Sequence, residues 1–219
     1  MAGNLPKEMN KIKKQILSLG GMVENSLKTA VTAVRDNDAE QAQKIIDSDI
    51  KIDEFEVEIE EECLKLIALY QPVAIDLRFL IVVIKINNDL ERIADLAANI
   101  CRRIKSISGK NLGNYVYDYH DMSEQTGIML KTSLDALVAM DPEMAIQAIT
   151  MDKKVNSMRN EAYDSMKKAI IKSPQYCGRI VNRYLISRHL ERIGDHIKNI
   201  SEEVIHLVKG EIVRHEYDV

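Results

Sequence analysis

Glu91 and Asp95 stand four residues apart in the stretch LERIAD at 90–95, and Glu191 and Asp195 stand four apart in LERIGD at 190–195. On a helix that turns about 100° per residue, positions i and i+4 share one side. Leu90, Ile93, Ala97 and Ile100 form an apolar stripe there, and both carboxylates fall off it. The later copy repeats this with Leu190, Ile193, Ile197 and Ile200. Two like charges at that spacing repel by roughly 0.2–0.5 kcal/mol unless something neutralises them. Asp49 and Asp53 are a third such pair, on the flank of an Ile52, Phe55 and Ile59 stripe. If these ridges face each other, Asp49, Asp53, Glu91 and Asp95 form a hard-oxygen set suited to iron, manganese, magnesium or calcium, and zinc can bind as well. In the second half Asp152 and Asn156 would stand opposite Glu191 and Asp195. An amide carbonyl can ligate a cation but brings no charge.

A plainer reading competes with metal binding, because in a chain with 34 acidic and 30 basic residues an acidic row is usually a solvated face. Arg92 or Arg192 would then pair locally. That reading fits Glu56 and Glu60, which continue the row of Asp49 and Asp53. For the repeated carboxylates the duplication favours a shared counter-charge. Histidines compete poorly as ligands. Glu203 and His206 have the spacing found in di-iron bundles, but such sites need two copies and only one exists. His206 therefore reads as a surface residue, and His120, His189, His196 and His215, without repeated partners, as solvated. No Gly-rich phosphate loop, G-x-S-x-G or H-E-x-x-H is present, so nucleotide binding and hydrolytic chemistry lack support.

The elements that must carry these side chains are helices. Only nine Gly and four Pro occur in 219 residues, with 29% charged and 5% aromatic residues, which favours an all-α fold. Leu5, Met9, Ile12, Ile16, Leu19, Val23, Leu27, Ala30 and Val34 recur at steps of three and four and predict a long first helix. RDNDAE at 35–40 supplies turn residues, and Ile45, Ile52, Phe55, Ile59, Leu66 and Tyr70 mark a second helix closed by Pro72. Pro72 can open a third, running to about Ser108. A fourth spans Tyr115 to Met140. Pro142 after Asp141 and Pro174 after Ser173 then mark the starts of a fifth and a sixth, since proline is tolerated where a helix N–H has no partner.

SGKNLGN at 108–114 is the natural joint. It divides the chain into a first three-helix bundle at 1–108, a linker at 109–113 and a second three-helix bundle at 114–219. The two are expected to be tandem antiparallel bundles related by internal pseudo-symmetry. DAEQAQKIIDSDIKID at 38–53 aligns with DPEMAIQAITMDKKVN at 141–156, so the repeat includes the second helix of each half.

Net charge is −4, which offers no basic field for nucleic acid. Cys63, Cys101 and Cys177 are widely spaced without CxxC, which fits a reducing cytosol better than a disulfide framework, and Cys63 and Cys101 read as small core residues. The most apolar run, FLIVVIKI at 79–86, is short and contains Lys85, and the first fifteen residues lack a signal-peptide core. Membrane association is therefore expected only through partners.

With these residues in view, the chain resembles the PhoU family of phosphate-uptake regulators. The similarity runs through LYQPVAIDLR at 69–78, KINNDLERIADLAANI at 85–100, RHLERIGDHIKNISEEV at 188–204 and VKGEIVRH at 208–215. The resemblance implies two pseudo-symmetric three-helix bundles whose E(D)xxxD motifs hold metal ions on the bundle surface. The metals implied are divalent or trivalent, with iron or zinc ahead of magnesium or manganese. Here the motifs are Asp49 to Asp53, Glu91 to Asp95 and Glu191 to Asp195, while the fourth reads Asp152 to Asn156 and departs from the acidic pattern. The resemblance further implies a cytoplasmic negative regulator, an adaptor between the cytoplasmic subunit of a phosphate ABC transporter and a phosphate-sensing histidine kinase. It leaves a homodimer open. Two rival readings are a carboxylate-bridged metal enzyme, which would need an enclosed substrate cavity, and a helical adaptor that binds no metal.

Overall fold

A computed structural model describes residues 5–36, 38–111, 113, 115, 117–211 and 213. Among these, six α-helices follow one another without a strand: α1 (Leu5–Asp36), α2 (Ala39–Tyr70), α3 (Ala74–Ile107), α4 (His120–Ala139), α5 (Pro142–Lys172) and α6 (Cys177–Lys209). The all-α reading and the six-helix order hold. His215 and the ends of both expected bundles lie outside the described residues.

The duplicated segment begins on a pair of equivalent caps. Asp38 accepts from the backbone N–H groups of Glu40 and Gln41, and Asp141 accepts from those of Glu143 and Met144. Each carboxylate thus satisfies two N–H groups that the helix itself leaves without partners. Pro142 follows Asp141 as the first residue of α5, as its position in the sequence predicts.

Three helix starts differ from expectation. Gln71, which precedes Pro72, closes α2 in the left-handed region with φ 46°, and the chain runs on through Val73 before α3 begins at Ala74. A residue before proline is disfavoured in the right-handed helical region, so α2 cannot run straight into α3. Pro174 opens a 3₁₀ turn to Tyr176, and α6 starts only at Cys177. α4 starts at His120 rather than Tyr115, because the intervening tyrosines are committed elsewhere. Tyr115 and Tyr119 share a hydrogen bond of 2.6 Å, and the hydroxyls of Tyr119 and Tyr117 donate to the carbonyls of Arg183 and Met158. A buried phenol needs such partners, and together they hold this segment against α5 and α6. At the joint, Gly109 and Gly113 have φ of +68° and +63°, and a Cβ on Gly113 would come within 2.7 Å of the Tyr176 ring. Glycine is required there on both counts.

Within each half the three helices pack on one another, and across the halves α3 lies against α6 and α1 against α4. The stripes read from the sequence point inward, and Ile12, Leu19, Leu27, Ile59, Leu90, Ile93 and Ile100 are fully buried. The main apolar cluster draws residues from all six helices, so the two bundles share one core. Polar ties reinforce the seam. The Lys85 ammonium donates to Glu203 at 2.9 Å, and His196 Nδ1 lies 2.8 Å from Asp89.

His120 is exposed as expected, but three other histidines are less solvated than expected. His196 and His206 are tied to Asp89 and Glu203, while both ring nitrogens of His189 are buried without a hydrogen-bond partner. Burial, with Arg103 on α3 and Arg192 on α6 nearby, pushes the His189 imidazole down to about 4. Its ordinary value is near 6.5, so the unfolded chain binds this proton more readily than the folded one. The associated stability is complete above about pH 6.5 and is lost as pH falls toward 4. A His189→Phe variant should lose less stability between pH 7 and pH 5 than the parent, measured by urea denaturation of chelator-treated protein. An unchanged acid slope would refute this.

Candidate metal centre

The expected sites begin with α2 and α3, whose contact brings the first four carboxylates onto neighbouring ridges. The carboxyl of Asp49 is pushed up to about 6 by burial and by the charges of Asp53 and Asp95, against the opposing Arg102. Burial and Asp95 raise Asp53. Burial also raises Glu91, against Arg92 and with help from Asp95, Asp53 and Glu56. Carboxylates on two helices therefore sense one another as one cluster. Asp49 is buried, and Glu91 is partly so, deeper than a position off the apolar stripe suggests.

Available counter-charges are loosely held. Arg92 reaches Glu91 at 3.3 Å and Asp95 at 3.6 Å, and Arg102 reaches Asp49 at 3.7 Å, each from a guanidinium about half exposed to solvent. Glu91 Oε2 is buried and has no hydrogen-bond partner, the Arg92 contact being ionic only. Four carboxylates against two arginines leave a local charge of −2, the deficit one divalent cation would cancel. An orphaned buried oxygen, an all-oxygen donor set and this deficit all fit a hard cation.

α5 and α6 carry the second set. Burial and Asp195 raise Asp152, while Lys198 and the amide of Asn156 oppose this; burial and Glu191 raise Asp195. Asn156 donates to Asp152 Oδ2 at 2.7 Å. Glu191 is buried and held on both sides, by Arg159 from α5 at 2.9 Å and by Arg188 one turn earlier on α6. Neither arginine stands out in the sequence, which points instead to Arg192. Arg159 is signalled only weakly, by its place one turn beyond Asn156 on the same helix side.

The structure brings each set together by helix pairs but does not close either around a point. Among the described residues, only His120, Asp121 and Glu124 bring three ligand atoms within 4.8 Å of one another, and all three are exposed at the start of α4. Glu56 departs from the solvated reading, since it accepts from Asn87 and lines, with Glu60, Lys85, Asp89, Glu202 and Glu203, an open cavity of about 510 Å³. Cys63 and Cys101 are buried as expected, and burial pushes both thiols up to about 12. No described helix is long and apolar enough to cross a membrane.

Comparison with known proteins agrees with this architecture. The PhoU domain family matches twice, at residues 16–104 and 119–204, one match in each half. A phosphate-specific transport system accessory protein PhoU homolog of Pseudomonas putida is 36% identical over 210 residues, covering 95% of this chain and 82% of that protein. The PhoU accessory protein of Escherichia coli K12 is 32% identical over 215 residues, covering 98% of this chain and 89% of that one. Among solved structures, PhoU from Pseudomonas aeruginosa superposes with a TM-score of 0.89 at 33% identity, covering 94% of this chain and 99% of that one. The phosphate transport system regulatory protein PhoU from Streptococcus pneumoniae does so with a TM-score of 0.85 at 28% identity, covering 95% and 99%.

Proposed function

Because the chain belongs to the PhoU family, we propose that it is an accessory protein of a phosphate-specific transport system that restrains phosphate uptake and the phosphate-starvation response. Similarity over nearly the full length to proteins named for that role is the observation that carries this reading. The chain is regulatory and not an enzyme, as the accessory and regulatory names of its relatives indicate.

A regulator without chemistry of its own acts by contact. In this reading it works in the cytoplasm as an adaptor that touches the transporter's cytoplasmic subunit and a phosphate-sensing histidine kinase. Helices of 31 to 34 residues offer it long faces for such contacts. Asp49, Asp53, Glu91 and Asp95 hold a metal ion, iron or zinc ahead of magnesium or manganese. That ion supplies positive charge to a cluster otherwise short of it. The residues themselves hold the α2 and α3 ridges in register once their repulsion is neutralised.

Deleting the gene in its own host is the direct test. Phosphate-starvation genes should then stay on in phosphate-rich medium, and the tagged chain should recover transporter subunits after mild cross-linking. Normal repression in the deletion strain would overturn the proposal.

A further inference from the structure

We propose that the second carboxylate set is closed to metal because the protein supplies its own cations there, so that the chain has a single metal-responsive face, on the first bundle. This rests on the reading of the first set given above and concerns how the second differs from it.

The two sets are the same motif with different charge balances. Asp152, Glu191 and Asp195 carry three negative charges, and the fourth position is Asn156, whose amide is spent as a donor to Asp152. Arg159 donates from Nε at 3.1 Å and reaches with its terminal nitrogen to 2.9 Å, both on Glu191 Oε1, while Arg188 donates to Oε2. Both oxygens of a buried carboxylate are thereby occupied by charge-assisted bonds, the strongest class of hydrogen bond a carboxylate accepts. Lys198 lies near enough to Asp152 and Asp195 to favour their charged forms. Three carboxylates meet three cations, and no deficit remains. The first set has a fourth carboxylate, and its arginines reach only 3.3 to 3.7 Å.

Asp152 Oδ1 is the oxygen of this set that is buried without a hydrogen bond among the described residues. It lies against α6, where a Cβ on residue 194 would come within 2.9 Å of it. The helix covers this oxygen instead of leaving room for coordinating partners. Ala94 occupies the equivalent position in the first half, so the only difference between LERIAD and LERIGD sits where α5 approaches α6. A metal ion entering the second set would have to displace two guanidinium groups from the buried carboxylate of Glu191 and break the charge-assisted bonds they make to both of its oxygens.

Chelator-treated full-length protein titrated with Mn²⁺ and followed by electron paramagnetic resonance tests this. In the Glu91→Gln/Asp95→Asn background, Mn²⁺ binding and any Mn²⁺-dependent rise in Tm should vanish. Adding Asn156→Asp, Arg159→Gln and Arg188→Gln to that background should restore both, with affinity rising by at least about 100-fold, the upper end of what losing one supporting group costs a metal site. Should this combination fail to fold, Asn156→Asp with Arg188→Gln alone carries the same expectation with a smaller gain. Mn²⁺ retained in the first-set variant and lost on Glu191→Gln/Asp195→Asn would overturn the proposal. So would a folded opened variant that gains no metal. If the parent binds no Mn²⁺ but the opened variant does, the closure of the second set by its own cations stands, while the metal reading of the first set, and with it the single metal-responsive face, fails.

Discussion

Stripped of metal and then titrated with iron or zinc, the Glu91→Gln/Asp95→Asn variant should bind at least about 100-fold more weakly than the parent, with no loss of helical signal. The affinity falls because a hard cation is held by charged oxygens, and this change removes two of four from a set whose deficit is −2. The fold survives for a separate reason. Leu90, Ile93, Ala97 and Ile100 pack the core, while Glu91 Oε2 has no hydrogen bond to lose. Relief of like-charge repulsion should even raise the stability of metal-free protein, by roughly 0.2–0.5 kcal/mol per pair. Parent-level metal content in the variant, by elemental analysis of protein purified without chelator, would remove Glu91 and Asp95 from the site. A collapse of helicity would instead show that these carboxylates are structural.

The contrast between the two halves shows what a sequence can disclose of such a site. Each xxxD motif lies on one helix, and its spacing alone places both side chains together, so the pairs Asp49 to Asp53 and Glu91 to Asp95 were legible. The long helices and the Asp141–Pro142 start were legible for the same reason, since all are local. Arg159 was not, because its contact with Glu191 joins residues 32 apart on different helices. Arg188 shares a helix with Glu191, but so does Arg192, and only packing decides which of the two points at the carboxylate. The late start of α4 likewise depends on hydroxyls of Tyr117 and Tyr119 finding carbonyls on α5 and α6. Helical pattern carries no record of those partners.

Ile193 lies between Glu191 and Asp195 and should behave in the opposite way to its neighbours. It is fully buried and belongs to the apolar cluster that all six helices share. Ile193→Ala removes buried methyl groups and leaves a space that long, mutually packed helices can fill only in part, which costs about 2–5 kcal/mol. That is a large fraction of the roughly 5–15 kcal/mol that holds a typical domain folded. Two independent bundles would respond with a split transition, the second half melting early while the first kept its midpoint. A shared core predicts otherwise, because loss of α6 exposes the buried face of α3. Urea denaturation should therefore remain one cooperative step, its midpoint lowered and its slope unchanged. Ile93→Ala, at the matching position of the first half, should move the same single transition by a similar amount. Separate transitions in either variant would mean that the seam between α3 and α6 is too weak to couple the halves. The carboxylate ridge of the first bundle could then transmit little to the second. A single transition makes α3 the element through which any change of charge at Glu91 and Asp95 would be felt by α6.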